Sequence, residues 1–244
     1  MTLIQDIIGS IREGAPALEV RVGVFWTAVV SRGCGLASTV MPEGHHQLNP
    51  PVGEAGRLAG RSAFELAYLA ESKTTLEAAI GMAAINSLVA VDESRCVELN
   101  AADYLMEKGK DKRIALVGHF PFVPGLRKAA GTLWVVERKP LEGDLHEQSA
   151  DVVIPQADVV AITGSAFVNG TIEHLLALAR RDALVVVLGP TTPMTPVLFD
   201  HGVHVVSGTR VVDTPAALRC LSEAATFRQM RGVKLLTMTR EGLP

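Results

Sequence analysis

From residue 113 onward, the sequence alternates short apolar runs with helix-like segments. The runs read IALVG, LWVVE, VVAITG, LVVVLG and VHVVSG. Continuous apolar runs are typical of strands that are buried on both faces of a sheet. Strands that alternate with helices predict right-handed βαβ crossovers. This half of the chain is therefore predicted to be a Rossmann-like α/β domain, with a mostly parallel sheet flanked by helices.

The third run ends in a stretch, VVAITGSAFVNG at residues 159–170, that predicts a ligand site. It reads as a buried strand, a polar turn and a helix start, and open α/β sheets bind ligands outside the carboxyl ends of their strands. Small and polar residues also follow three of the other runs, so we expect four strand ends to share one site. The predicted ligand-binding residues are Gly118, Phe120, Asp144, Thr163, Gly164, Ser165, Asn169, Gly170, Thr171, Gly189, Thr191, Thr192, Ser207 and Gly208.

Two residues of this region are candidate catalytic groups. His119 follows Gly118 at the end of the first run, and imidazole titrates near neutral pH, so His119 is either a general acid or base or a structural histidine. Glu137 lies 137 − 118 = 19 residues after Gly118, close to the ~20 at which an acidic residue meets a ribose hydroxyl; a solvated strand end is the equal alternative. Asp144 is either an acid or base or a cap of the next element.

Two common catalytic and cofactor motifs are missing from these strand ends. The first strand ends in Gly118-His119-Phe120, without the second and third glycines of the dinucleotide fingerprint GxGxxG. Ser165 is not in a GxSxG elbow, so we do not predict a nucleophilic serine. The sequence identifies no cofactor.

The first half of the chain is predicted to be a small α+β domain. Residues 18–30 alternate apolar and polar side chains and predict one half-buried strand, and residues 35–41 predict a second strand that returns beside it. A charged connector at residues 110–113 predicts a domain boundary, with domains at 1–109 and 110–244.

Helix starts are also visible in the first half. Capping boxes are predicted at Thr2 with Gln5, at Ser62 with Glu65 and at Thr74 with Glu77, and Asn100 is predicted to cap a further helix.

Three residues of the first half are predicted to contribute to the ligand site. Trp26 and Thr27 lie in the stretch expected to roof the cleft between the halves. Asn86, within the apolar run LEAAIGMAAINSLVA, is either a hydrogen-bonded core amide or a site residue near the interface between the halves.

Composition excludes several classes of function. The net charge is −3, aromatic residues make up 5%, and no basic stripe is visible, which excludes nucleic acid as an expected partner. No apolar run approaches the ~20 residues of a membrane-spanning helix, so we expect no membrane partner. The cysteines Cys34, Cys96 and Cys220 are far apart, as in a reducing compartment, and we predict a cytoplasmic protein. A homodimer is expected from the apolar composition.

Metal-binding motifs are sparse. His45 and His46 form a vicinal pair in a proline- and glycine-rich loop, but no HxxH, CxxC or carboxylate cluster accompanies them. We therefore predict no dedicated metal site in the protein. Glycine, hydroxyl and amide groups with one histidine and one glutamate are better suited to an oxygen-rich organic ligand.

Several long segments are recognisable together. They are VGHFPFV, ERKPLEGD, DVVAITGSAFVNGTIEHLL and LGPTTPMTPVLFDHGVHVVSGTRVVD, preceded by VGVFWTAVV, GCGLAST and TLEAAIGMAAINSL. Together they resemble the bacterial and archaeal heavy-metal chelation domain family, formerly a domain of unknown function. The resemblance implies an enolase-N-terminal-like domain, a Rossmann-like domain and a pocket between them. It further implies a role in metal-chelator or pterin-, flavin- or siderophore-like chemistry. The variant TGSAF departs from the family pattern and bears on substrate specificity.

Three functional hypotheses remain open at this point. The first is an enzyme, or a binding protein descended from one, that acts on a small polar or anionic metabolite, including a metal chelate. The second is a nucleotide- or S-adenosylmethionine-binding protein of methyltransferase type, based on Gly118 and Glu137. The third is a non-catalytic metal carrier that uses Cys34, His45 and His46.

Overall fold

The computed structural model describes residues 2–41 and 50–242, so His45 and His46 lie outside the described residues. The described part of the first half contains a three-stranded antiparallel sheet in the order β1-β2-β3 and four α-helices. The elements are α1 (Leu3–Gly9), β1 (Glu19–Val22), β2 (Trp26–Val30), β3 (Cys34–Ser38), α2 (Ala63–Ala67), α3 (Thr75–Leu88) and α4 (Ala101–Lys108).

The single strand predicted at residues 18–30 is wrong, because the chain reverses within it. β1 and β2 form a hairpin, in which the Gly23 N–H donates to the Trp26 carbonyl at 2.8 Å. The apolar alternation continues through the turn at Val22 and Val24, and both side chains are exposed. The sequence pattern therefore concealed the turn. The second predicted strand is present as β3, antiparallel to β2.

Two of the predicted helix caps are confirmed and two are wrong. Thr2 forms its capping box with Gln5, and the Asn100 side chain accepts from the Ala102 N–H. Ser62 and Thr74 make no side-chain cap hydrogen bond.

The carboxylate of Glu77 explains one of these failures. It accepts from the Gly53 N–H at 2.8 Å and from the Ser72 hydroxyl at 2.6 Å instead of closing a box with Thr74. A long-range contact thus replaces the local one.

The second half is the predicted mostly parallel sheet flanked by helices. Its seven strands are ordered β10-β9-β8-β7-β4-β5-β6, and only β10 pairs antiparallel, with β9. The strands are β4 (Arg113–Val117), β5 (Thr132–Glu137), β6 (Leu145–His146), β7 (Val159–Thr163), β8 (Leu184–Leu188), β9 (Val205–Val211) and β10 (Val233–Thr239). The helices are α5 (Val123–Ala129), α6 (Ala150–Val153), α7 (Ser165–Val168), α8 (Ile172–Leu178), α9 (Val197–Asp200) and α10 (Thr214–Ser222).

The two edge strands, β6 and β10, are missing from the sequence prediction. The β10 segment VKLLTMT mixes polar with apolar residues, unlike the continuous runs of the buried strands. An antiparallel strand at the edge of a parallel sheet is common in such folds, but its weaker apolar pattern hides it.

The strand order creates a topological switch point at β4. From β4 the chain moves to β5 on one side, and it later returns to β7 on the other side of β4. The crossovers before and after this point run in opposite directions, which opens a crevice at the carboxyl ends of β4 and β7.

Helices cover both faces of the large sheet. α4 and α5 pack on one face, through Leu105 and Leu126 against Ile114 and Leu116. α6 to α9 pack on the other face, together with α1, α2, α3 and part of the small sheet. Because α4 packs on the second half, the predicted boundary at residue 109 remains a prediction.

The small sheet lies between two helices. Val29 and Ala37 face α3, whereas Ala28 and Leu36 face Leu218 and Leu221, two residues of the α10 region. Burial on both sides explains why β2 and β3 lack polar side chains at most positions.

The α3 helix packs closely on the preceding turn, and Gly81 makes that approach possible. A Cβ atom on Gly81 would overlap the backbone nitrogen of Ala70. We predict that Gly81→Ala lowers the free energy of unfolding by about 1–3 kcal/mol, as overpacked cores do. Gly9→Ala is the matched control, because a Cβ there has no neighbour within 4 Å. Urea unfolding checks both, and equal stability of the two variants would contradict the close packing.

Candidate functional site

A cavity of about 630 Å³ opens at the switch point, and we call it the switch-point cavity. It lies at the carboxyl ends of β4, β5 and β7. Six of the predicted site residues line the cavity, and they are Gly118, Glu137, Thr163, Ser165, Asn169 and Thr171.

Hydroxyl and amide groups form one wall. The Thr163 and Ser165 hydroxyl oxygens are 3.0 Å apart, and Thr163 Oγ1 also accepts from the Ser165 N–H at 3.3 Å. The Thr171 hydroxyl donates to the Asn169 Oδ1 atom at 2.7 Å. Each pair holds its side chains in place at the end of β7 and the start of α8, so the wall is rigid before any ligand arrives.

Gly118 provides the floor between β4 and β7. Its φ of +102° lies in the left-handed region, and a Cβ atom there would be 3.0 Å from Thr163 Cβ and 3.1 Å from the Phe120 ring. The glycine at the end of the first apolar run is therefore required by both backbone conformation and space.

Charged residues that the sequence did not single out line the other side. Arg138 pairs with Glu147 at 3.3 Å, and His174 Nε2 lies 2.7 Å from Asp151 Oδ1. The first pair connects the loop after β5 with the turn after β6, and the second connects α8 with α6. They come from exposed positions of the sequence, where no local pattern distinguishes a site residue from a solvated one.

Glu137, His119 and Asp144 form a connected group at the end of β5. The Glu137 carboxylate accepts from the His119 N–H at 3.0 Å and from the Arg138 N–H at 2.8 Å. The His119 Nδ1 atom lies 2.7 Å from Asp144 Oδ2, and the Asp144 side chain is only 1% exposed.

This geometry fixes the imidazole ring. A buried carboxylate at Nδ1 favours the tautomer that carries its proton there, which leaves Nε2 as the acceptor. The His119 side chain is 30% exposed, so Nε2 can exchange a proton with a neighbouring molecule. His119 and Asp144 do not themselves line the cavity; Glu137 links them to its wall.

Trp26 and Thr27 do not roof the switch-point cavity. The Trp26 indole donates to the Ala225 carbonyl at 3.0 Å, and its ring packs on Phe227. Thr27 is buried, 2.9 Å from the Thr39 hydroxyl. The first half instead contributes the end of its sheet, Thr39, Val40 and Met41, to the lining. The hairpin at Gly23 explains the error, because it turns Trp26 towards α10.

A second group of predicted site residues joins the two halves of the chain. The Asn86 amide donates to the Leu36 carbonyl at 2.8 Å and to the Thr191 carbonyl at 3.0 Å. Thr191 Oγ1 in turn accepts from the Ser38 N–H at 2.8 Å. Asn86 is therefore a hydrogen-bonded amide at the interface between the halves, and its role as a site residue remains a prediction.

Gly164 and Thr192 are buried behind the cavity wall, whereas Gly170 is exposed outside it. A Cβ atom on Gly164 would be 2.6 Å from the Thr192 hydroxyl, and Thr192 is buried. Gly170 has a φ of +73° and makes the turn before α8, outside the lining of the switch-point cavity.

The remaining strand ends line a different cavity, so the single shared site is wrong. Phe120, Gly189, Ser207 and Gly208 line a cavity of about 340 Å³ on the α4 face of the sheet, which we call the aromatic cavity. On the opposite face, β3 packs against β9. The first half therefore covers the ends of β8 and β9 there and separates the two cavities.

Comparisons with known proteins fit this architecture. Two family models, DUF364 and DUF4213, match residues 100–239 and 4–89, and both are described as "Putative heavy-metal chelation". The chain belongs to this family. An uncharacterised protein of Methanocaldococcus jannaschii is 30% identical over 187 residues, which are 72% of this chain and 71% of that protein.

Two solved structures of the family share the fold across nearly the whole chain. A DUF364 protein of unknown function from Desulfitobacterium hafniense is 26% identical with a TM-score of 0.83, covering 98% of each chain. A second, from Pyrococcus horikoshii, is 22% identical with a TM-score of 0.83, covering 98% of this chain and 100% of that one.

The family description implies a heavy metal, but the described side chains do not fit one held by the protein alone. In residues 2–41 and 50–242, no three His, Cys, Asp or Glu side chains are grouped as metal ligands. Cys34, the carrier candidate, is buried on β3, and burial raises the pKa of its thiol to about 11. A heavy metal binds the thiolate form, which this environment disfavours.

Within residues 2–41 and 50–242, no helix has the length and hydropathy of a membrane span.

We predict that the Cys34 thiol is unreactive in the folded chain. Ellman's reagent at pH 8 should label the partly exposed Cys96 and Cys220 and should reach Cys34 only after unfolding in guanidinium. Cys34→Ser is the matched control, and it should leave the labelling of the folded chain unchanged. Loss of one fast-reacting thiol in that variant would show an accessible Cys34 and would revive the carrier hypothesis.

Proposed function

We propose that this chain binds a small, polar, oxygen-rich metabolite in the switch-point cavity, and that the metabolite rather than the protein supplies the donor atoms for a metal. The observation that carries the proposal is the convergence of Gly118, Glu137, Thr163 and Thr171 at the topological switch point. The volume of about 630 Å³ lies within the ~300–1,000 Å³ of small-molecule sites.

The chemistry of the lining supports a polar but not strongly charged ligand. Arg138 is paired with Glu147, so the charge of this guanidinium is balanced within the protein, and His174 is hydrogen-bonded to Asp151. The hydroxyls of Thr163, Ser165 and Thr171 donate and accept hydrogen bonds and are suited to hydroxyl, carbonyl or carboxylate oxygens. A pterin, flavin or catechol group that carries such oxygens fits this description and also chelates metals.

The second part of the proposal concerns proton transfer. The Asp144 carboxylate holds the His119 ring, and the His119 backbone holds the Glu137 carboxylate at the cavity wall. His119 is therefore the group we propose as acid or base if the ligand is converted, with Asp144 as its positioning residue. Because His119 does not line the cavity, it would exchange the proton with the ligand through one bridging water molecule. A homodimer and a cytoplasmic location remain predictions.

A nucleotide or S-adenosylmethionine ligand is the second candidate, and one observation favours it. Glu137 lies at the end of the second strand of the parallel sheet and lines the cavity, as a ribose-binding acid would. Both of its carboxylate oxygens already accept backbone N–H groups, which leaves it fewer lone pairs for a ribose.

Removing one hydroxyl from the cavity wall should weaken ligand binding. We expect Thr163→Val to raise the Kd of a bound probe about fivefold, because a lost hydrogen bond of ~1 kcal/mol corresponds to a factor of about five. Thr132→Val is the matched control, since Thr132 is exposed at the opposite, amino end of β5. Calorimetric titration with pterin-6-carboxylate, riboflavin and 2,3-dihydroxybenzoate measures the effect, with S-adenosylmethionine and NAD as the competing class.

The outcomes separate the two candidates. Binding of a pterin, flavin or catechol that depends on Thr163 supports the proposal. Binding of S-adenosylmethionine or NAD alone would support the second candidate instead. Equal effects of Thr163→Val and Thr132→Val would show that the probe does not bind in the switch-point cavity.

Replacing the imidazole tests its role separately. We predict that His119→Ala abolishes turnover of the ligand that binds, while the Kd changes less than threefold, because His119 does not line the cavity. Asp144→Asn should reduce turnover and shift its pH profile, since the ring loses its charged partner. If His119→Ala turns over the ligand normally, His119 has no part in the reaction.

A further inference from the structure

The aromatic cavity lies on the opposite face of the sheet from the switch-point cavity and has a different chemical character. Its volume of about 340 Å³ is close to the lower end of the ~300–1,000 Å³ of small-molecule sites. Carbon surfaces dominate its walls. It therefore has room for one or two fused rings but not for a dinucleotide.

Aromatic rings line two sides of this cavity. The Phe120 and Phe122 rings are stacked, with centroids 5.1 Å apart and planes at 19°. Phe227 lines it from the segment after α10. The Leu235 side chain, also in the lining, is 42% exposed although it is large and apolar. Partly exposed aromatic and aliphatic surfaces around a concavity favour a flat apolar ligand.

The polar side chains in the lining are already used by the fold. The Ser207 hydroxyl is hydrogen-bonded to Thr237, and the Asn100 side chain caps α4. Because both side chains are already hydrogen-bonded, the walls offer few free hydrogen-bonding groups to a polar ligand.

Arg228 supplies the one charge of this cavity among the described residues that line it. The residue is exposed, and within the described part of the chain its guanidinium has no ion-pair partner at 4 Å or less. A guanidinium beside an aromatic cavity is complementary to a carboxylate, sulfonate or phosphate.

We propose that the aromatic cavity is a second binding site, which takes a small planar aromatic anion. The ring of the ligand packs against Phe120, Phe122 and Phe227, and its anionic group meets Arg228. The site is independent of the proposed function, because the two cavities lie on opposite faces of the sheet.

Two fluorescent probes of nearly equal shape test the proposal on the full-length chain. They are 8-anilino-1-naphthalenesulfonate, which is an anion, and its uncharged counterpart N-phenyl-1-naphthylamine. We expect saturable binding of the anion with one molecule per chain. Arg228→Gln should weaken the anion three- to tenfold and leave the uncharged probe within twofold, and Phe122→Ala should weaken both probes at least tenfold.

Two further variants keep the result decisive. Arg231→Gln removes another exposed guanidinium three residues away, outside the lining, and should change neither probe. Phe122→Leu keeps most of the apolar volume if Phe122→Ala does not fold, and it should still weaken both probes. The proposal is overturned if Arg228→Gln and Arg231→Gln weaken the anion equally, or if both Phe122 variants bind as the parent chain does. Riboflavin carries no anionic group for Arg228, so its binding in the switch-point cavity of the Arg228→Gln variant should be unchanged.

Discussion

The hydrogen bonds that Asn86 makes to both halves of the chain hold the small sheet in place, and the positions of both cavities depend on that sheet. The amide of one side chain on α3 donates to Leu36 of the small sheet and to Thr191 of the large domain. Ser38 adds a second link to Thr191. A short polar seam, formed by Ser38, Asn86 and Thr191, thus positions the small sheet over the carboxyl edge of the parallel sheet.

The position of the small sheet creates one cavity and separates it from another. Because β3 runs over the ends of β8 and β9, its continuation at Thr39 to Met41 reaches the ends of β4, β5 and β7. There it lines the switch-point cavity. On the α4 face the small sheet does not cover the ends of β8 and β9, and these ends open into the aromatic cavity together with the start of α4. Two chemically different cavities therefore arise from one sheet edge, one with hydroxyls and balanced charges, and one with phenylalanine rings and a single arginine.

Much of this was predictable from the residues, within clear physical limits. Continuous apolar runs specify buried parallel strands, and parallel strands bring their carboxyl ends together, so Gly118 and Thr163 were expected to be neighbours. The face of the sheet on which each strand end opens depends on what packs there, and residues far along the chain determine this. Trp26 was misplaced because the reversal at Gly23 preserves the apolar alternation, and Thr39 to Met41 carry no pattern that marks a cavity wall.

The central claim is that the switch-point cavity holds an oxygen-rich organic molecule and that the protein does not bind metal directly. Native mass spectrometry of untagged protein, with elemental analysis of the same sample, tests this most directly. We expect one small organic molecule that is released on denaturation, retained in Thr132→Val and lost or reduced in Thr163→Val. A stoichiometric heavy-metal ion without an organic molecule, retained in Thr163→Val, would contradict it.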